Sequence, residues 1–142
     1  MDFIADQQCF ACGLENPGGL RLQFHRETDT YVTRFIADAM YQGYHGVVHG
    51  GIIATLLDEI MARYVWELDG PSATAKLSIT YRHPAPVGTA IVVRGWICTR
   101  HRGGKAVETA ATASLEDGTL LAEATGLIIR LAPSPGGKVC TP

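Results

Sequence analysis

Residues 52–67 hold the strongest constraint in the chain. Ile53, Leu56, Leu57, Ile60 and Tyr64 recur at steps of three and four, which places them on one face of a helix. Ile52 and Met61 flank that stripe, so the helix is apolar over most of its surface and needs other structure wrapped around it. Asp69-Gly70-Pro71 stops it. His49-Gly50-Gly51 leads into it as a loop.

Asp58 lies off the stripe. At about 100° per residue it sits roughly 140° around the axis from Ile53. Its neighbours on that side are Ala54, Thr55 and Ala62. A face of small residues admits a close approach, and this one carries a carboxylate. Glu59 contrasts with it. It precedes Arg63 by four residues, the favourable order for a surface ion pair, so a structural role is expected there.

The remaining residues must supply the cover. The segment 20–24 alternates apolar and polar residues and predicts a half-buried strand, with 31–36 as its hairpin partner. A loop with Gln42 and His45 leads to the helix. Strands are expected at 73–83, where Ala75, Leu77, Ile79 and Tyr81 alternate with polar residues, and at 89–100, 106–115 and 120–131. Asp117-Gly118 marks a hairpin between the last two. About six strands with mostly hairpin connections and one long helix imply an α+β fold: an antiparallel sheet curled around the helix. With 142 residues, a single domain over 1–132 is expected, followed by a Pro- and Gly-rich tail over 133–142.

Charge and cysteines narrow the function. Net charge is -2, with no basic stripe for a nucleic-acid partner. No apolar run reaches the ~18 residues that span a bilayer, so no membrane partner is expected. Met1-Asp2-Phe3-Ile4 shows no secretory n-region, which predicts a cytoplasmic protein. Cys9 and Cys12 have the spacing of half a zinc site, but Cys98 and Cys140 are isolated. Reduced, partly buried thiols and no metal are therefore expected.

His49-Gly50-Gly51, with Asp58 nine residues after His49, resembles the hotdog-fold acyl-CoA thioesterases, in particular the phenylacetate-pathway-type and thioesterase-superfamily-member subgroup. Further stretches carry the resemblance. They are Cys9-Phe10-Ala11-Cys12-Gly13 with Asn16-Pro17 and Gly19-Leu20; Gln42-Gly43-Tyr44; Leu77-Ser78-Ile79-Thr80-Tyr81-Arg82 with Pro84; and Asp117-Gly118 before Ala122-Glu123-Ala124. Together they run from Cys9 to Ile129.

The resemblance implies a hotdog fold with the helix inside the sheet, and a homodimer that can pair again into a homotetramer. It implies hydrolysis of an acyl-CoA to free acid and CoA, with coenzyme A as part of the substrate and no separate cofactor. Asp58 matches the general base or nucleophile, and the backbone N–H of Gly50 matches the donor to the thioester carbonyl. Gln42 matches an upstream amide, and Thr74 a hydroxyl that holds the attacking water. Nucleotide contacts are implied near Tyr81 and Arg82 and near the turn of Arg100, Arg102, Gly103, Gly104 and Lys105.

The chemistry also stands on the residues. Thioester hydrolysis needs a base or attacking carboxylate and donors aimed at the developing oxyanion. Asp58 offers the first. The unpaired N–H groups at a helix N-terminus offer the second, with two glycines leaving room for a carbonyl. His49 is expected to order the loop by a hydrogen bond, and His45 to be loop surface. Gly50 and Asp58 are separated by about 12 Å of helical rise, so a shared reaction centre needs two chains. The same fold class supports a hydratase or dehydratase, which would want a histidine beside the acid, and a non-catalytic acyl-CoA-binding module, which would not need Asp58.

Overall fold

In a computed structural model, residues 3–131 are described. The expected tail, 133–142, and Cys140 lie outside them. Six strands form one antiparallel sheet: β1 (Phe24–Glu27), β2 (Thr30–Ile36), β3 (Ser72–Tyr81), β4 (Ala90–His101), β5 (Ala106–Leu115) and β6 (Leu120–Arg130). The strand order is β1-β2-β4-β5-β6-β3. The helix α1 (Gly50–Asp69) connects β2 to β3. It therefore crosses the sheet from one flank to the other and lies against β2, β4, β5, β6 and β3. This is the helix-in-sheet arrangement expected from the sequence.

The apolar stripe drives the packing. Ile53, Leu56, Leu57, Ile60, Met61, Tyr64 and Val65 are buried along α1. Each such side chain, moved fully from water, contributes about 1.5–3 kcal/mol. Two glycines on the sheet set how close the helix comes. A Cβ on Gly95 would lie 3.1 Å from the Ile60 side chain, and one on Gly126 would lie 3.2 Å from that of Met61. At one edge, the Tyr31 ring stacks between Phe24 and Tyr64, with 5.1 Å between centroids on both sides.

One predicted strand is corrected. Residues 20–23 are not in the sheet, and β1 begins only at Phe24. Leu20 and Leu22 are buried as expected, but their N–H groups donate to Phe10 O (2.9 Å) and Ala11 O (3.0 Å). The alternation reflected burial against the N-terminal segment, whose backbone competes for the same hydrogen bonds. Among the described residues no helix is long and apolar enough to cross a membrane.

The sheet's two edges differ. β1 has four residues, whereas β3 has ten along an edge that pairs with no strand among the described residues. A long unpaired edge is a template for another strand.

If Gly95 limits the helix–sheet distance, Gly95→Val costs about 1–3 kcal/mol by overpacking. Urea denaturation measures this, and the cost shrinks in an Ile60→Ala background. An equal cost in both backgrounds would show that Ile60 is not the limiting contact.

Candidate active site

The N-terminus of α1 is built by local hydrogen bonds. His49 is the N-cap, and its Nδ1 accepts from Gly51 N–H at 2.8 Å. The accepting nitrogen carries no proton. Gly51 has no side chain because a Cβ there would lie 3.0 Å from that same Nδ1. The loop before it is closed by Gln42, whose Oε1 accepts from Gly46 N–H at 3.2 Å. His49 N–H donates to Tyr41 O at 2.8 Å. With Gly51 satisfied by the cap, the Gly50 N–H makes no hydrogen bond among the described residues. It stands at the positive end of the helix dipole.

Tyr81 covers this end. It closes β3, and its hydroxyl donates to Gly50 O at 2.8 Å. A Cβ on Gly50 would sit an unstrained 3.5 Å from the Tyr81 ring. Packing within the chain therefore does not demand glycine there. A cleft of about 280 Å³ opens at this point, walled by Gly50, Ile53, Tyr81, Arg82 and the exposed Tyr44. Tyr44 entered the sequence reading only within a motif.

Asp58 lies two turns further along α1, half-buried. Thr74 Oγ1 donates to its Oδ1 at 2.8 Å. Strand period alone would not aim Thr74 at the helix, because Leu77 faces α1 and Thr74 is three residues away. The pairing with β6 shifts between Thr74 and Lys76, so Ala75 is an extra, bulged residue. One extra residue reverses the parity, which puts Thr74 on the side of Leu77 and leaves Ala75 exposed.

The expected site residues thus fall into three groups. His49, Gly50, Gln42 and Tyr81 gather at the N-terminus of α1. Asp58 and Thr74 meet at its middle. Gly50 and Asp58 share one helix, so about 12 Å of rise separates them. The third group lies at the far end of α1. There Arg100 pairs with Asp69, and the turn Arg102–Gly104 precedes Lys105. Arg102, Gly103 and Gly104 all have left-handed φ, at 51°, 64° and 85°. Within one chain this turn does not meet Tyr81 or Arg82. Arg82 and Arg100 already hold the carboxylates of Glu123 and Asp69; Arg102 and Lys105 form no ion pair among the described residues. His45 is exposed loop surface.

Glu59 departs from expectation. It makes no ion pair with Arg63 among the described residues. The N-terminal segment covers that side of α1, and Glu59 faces Cys9 and Cys12. Burial pushes its carboxyl above the usual range, and pushes the Cys12 thiol up, with the Glu59 carboxylate adding to the second effect. Helical spacing alone gave no sign that a separate loop would claim this face.

The family profile for the thioesterase superfamily matches residues 45–122, from the capping loop into β6. The acyl-coenzyme A thioesterase THEM4 of Rattus norvegicus is 37% identical over 132 residues, covering 92% of this chain and 56% of its own length. This chain spans about half the length of the curated relatives it matches. A crystal structure of a thioesterase superfamily protein superposes with a TM-score of 0.76 at 26% identity, covering 87% of this chain and 60% of the other. A hypothetical thioesterase protein with coenzyme A from Streptococcus pneumoniae has the same fold. Its TM-score is 0.71 at 20% identity, over 80% of this chain and 88% of that one.

The cap predicts a stability effect. His49→Ala removes the acceptor for Gly51 N–H and costs about 0.5–2 kcal/mol in chemical denaturation, while His49→Asn, a good N-cap, stays near the original value. Gly50→Ala causes no loss, since its Cβ has room. Equal stability of His49→Ala and the unaltered chain would remove the cap from the account.

Proposed function

This chain belongs to the thioesterase superfamily, and from that premise we propose that it hydrolyses an acyl-CoA thioester at a centre shared by two copies. One observation carries the reading. The Asp58–Thr74 pair and the Gly50–Tyr81 pair sit at opposite ends of the same free-edged strand, β3.

Antiparallel pairing of β3 with its equivalent, about a two-fold axis near Leu77 and Ser78, would set Thr74 opposite Tyr81 of the second copy. Asp58 of one chain would then approach the open Gly50 N–H of the other. The small side chain of Ala54 leaves room for that approach, whereas Ala62 packs against Val65, Val107 and Ile128 of its own chain. The interface would be isologous, with two equal centres per dimer. Further pairing into a tetramer needs a second face and does not alter either centre.

The reaction follows from the groups. The thioester carbonyl accepts from Gly50 N–H, aided by the helix dipole, as negative charge builds on its oxygen. The Asp58 carboxylate takes a proton from water, whose oxygen adds to the carbonyl carbon; collapse of the tetrahedral intermediate breaks the C–S bond, and the CoA thiolate leaves and takes up that proton. If Asp58 attacks the carbonyl carbon itself, the same C–S bond breaks, and water then cleaves the mixed anhydride to free acid and the Asp58 carboxylate. Thr74 donates to one oxygen of Asp58 and fixes the direction of the other. His49 and Gln42 act as positioning residues: they hold the loop that leaves Gly50 N–H unpaired.

The coenzyme A moiety then has a path. If Gly50 of one chain is level with Asp58 of the other, Asp69 lies about 16 Å beyond the carbonyl site along the helix axis. An extended pantetheine arm spans that distance. The nucleotide phosphates would reach the turn carrying Arg102 and Lys105, which form no ion pair among the described residues, beside the backbone of Gly103 and Gly104. Tyr81 and Arg82 would border the arm's entrance. The relatives named acyl-coenzyme A thioesterases and the neighbour described with coenzyme A support this substrate class.

Three outcomes are expected. Asp58→Asn and Asp58→Ala lower kcat for thiol release from acyl-CoAs by about 10²–10⁴-fold; release that survives both would overturn the proposal. Arg102→Ala raises KM for acyl-CoA much more than it lowers kcat, and an unchanged KM would take that turn out of the site. Specific activity follows the dimer fraction on dilution in sedimentation experiments; full activity in a monomer peak would contradict a shared centre.

A further inference from the structure

The half-motif Cys9-x-x-Cys12 lacks a second half in the sequence, and the fold provides a third ligand. The two sulfurs and a Glu59 carboxylate oxygen all lie within 4.8 Å of one another. Each residue is half-buried. We propose that Cys9, Cys12 and Glu59 bind a thiophilic divalent cation of the zinc class, with the fourth position open to the adjoining cleft.

The loop bearing the thiols is built to hold them still. Gly13 N–H donates to Cys9 O at 2.9 Å, closing the turn. Only glycine fits after Cys12, because a Cβ there would lie 2.3 Å from Gln7 O and 2.5 Å from Cys9 N. Glu15 N–H donates to Gln7 O at 3.0 Å, and Asn16 Nδ2 donates to Gln8 O at 2.9 Å. Ala11, Leu20 and Leu22 fasten the segment to the core. Both cysteines thus reach α1 on a loop fixed by backbone hydrogen bonds.

The donor set fits zinc. Thiolate and carboxylate oxygen are both zinc ligands, and two sulfurs disfavour magnesium and calcium. A carboxylate turned toward two thiols, with no ion pair among the described residues although Arg63 lines the same cleft, is an environment that a divalent cation balances. A separate observation points to a ligand. Ser72, only 8% exposed, has an Oγ with no hydrogen-bond partner among the described residues, and it lines the same cleft of about 510 Å³ as Cys9, Cys12 and Glu59. The cleft also gives the ion a way in. Bound metal would pin the N-terminal segment to α1 one residue from Asp58.

Cobalt(II) titration of the full, untagged and reduced chain tests the site without any turnover assay. The expected result is a near-ultraviolet thiolate-to-cobalt band that saturates at one equivalent per chain and is displaced by zinc with a Kd at or below about 1 µM. Cys9→Ser and Cys12→Ser each reduce the band and weaken zinc binding by at least about 100-fold. Glu59→Gln keeps the thiolate band and weakens zinc by about 10-fold or more. A Cys98→Ser, Cys140→Ser double variant binds as the original does. Circular dichroism checks that each variant is folded, and the unaltered chain's spectrum needs no variant at all. Absence of the band, a band that follows Cys98 or Cys140, or zinc affinity unchanged in Glu59→Gln would overturn the assignment.

Discussion

Burial of α1 is the constraint on which the rest depends. Leu56, Leu57 and Ile60 have no exposed surface, and a helix so apolar has no stable place in water. The sheet solves this by crossing beneath it, and Gly95 and Gly126 let the two surfaces meet closely. The site inherits its geometry from that packing. Because α1 is held along its length, its N-terminus and Asp58 are fixed relative to the two ends of β3. The candidate site is mounted on rigid elements, and only the capping loop is irregular.

The same packing places the polar groups on one flank. α1 turns its apolar stripe to the sheet, so Asp58 and Glu59 emerge on the side facing β3 and the N-terminal segment. Two neighbouring acids then meet different surroundings. Asp58 accepts a hydroxyl hydrogen bond from Thr74, whereas Glu59 faces two thiols with desolvation raising its carboxyl. One turn of helix thereby carries two separate polar sites.

Between them, the expected catalytic residues form no single centre in one chain. An open amide at Gly50 and a carboxylate at Asp58 are fixed on one rigid rod and cannot converge. The edge of β3, which pairs with no strand among the described residues, runs between the two groups, and the proposed pairing with a second copy uses its length to complete both centres. The proposed reaction, the dimer and the path for coenzyme A all rest on that relation.

Local sequence determined the helix, its stop at Gly70 and most strands, because each depends on residues within a few positions of one another; that the helix begins at Gly50 with His49 as its cap came from the structure. The superfamily was legible because its motifs are short local runs, His49-Gly50-Gly51 with Asp58 first among them, set in order from Cys9 to Ile129. Tertiary structure decided the rest. The bulge at Ala75 reverses the parity of β3 and aims Thr74 at Asp58, a choice made by pairing with β6 that no alternation rule within β3 reveals. Residues 20–23 read as a strand but bond to the N-terminal segment, and Glu59 read as a surface ion pair but faces Cys9 and Cys12. In each case the deciding partner is distant in sequence, so local periodicity gives the face a residue occupies but not what comes to cover it.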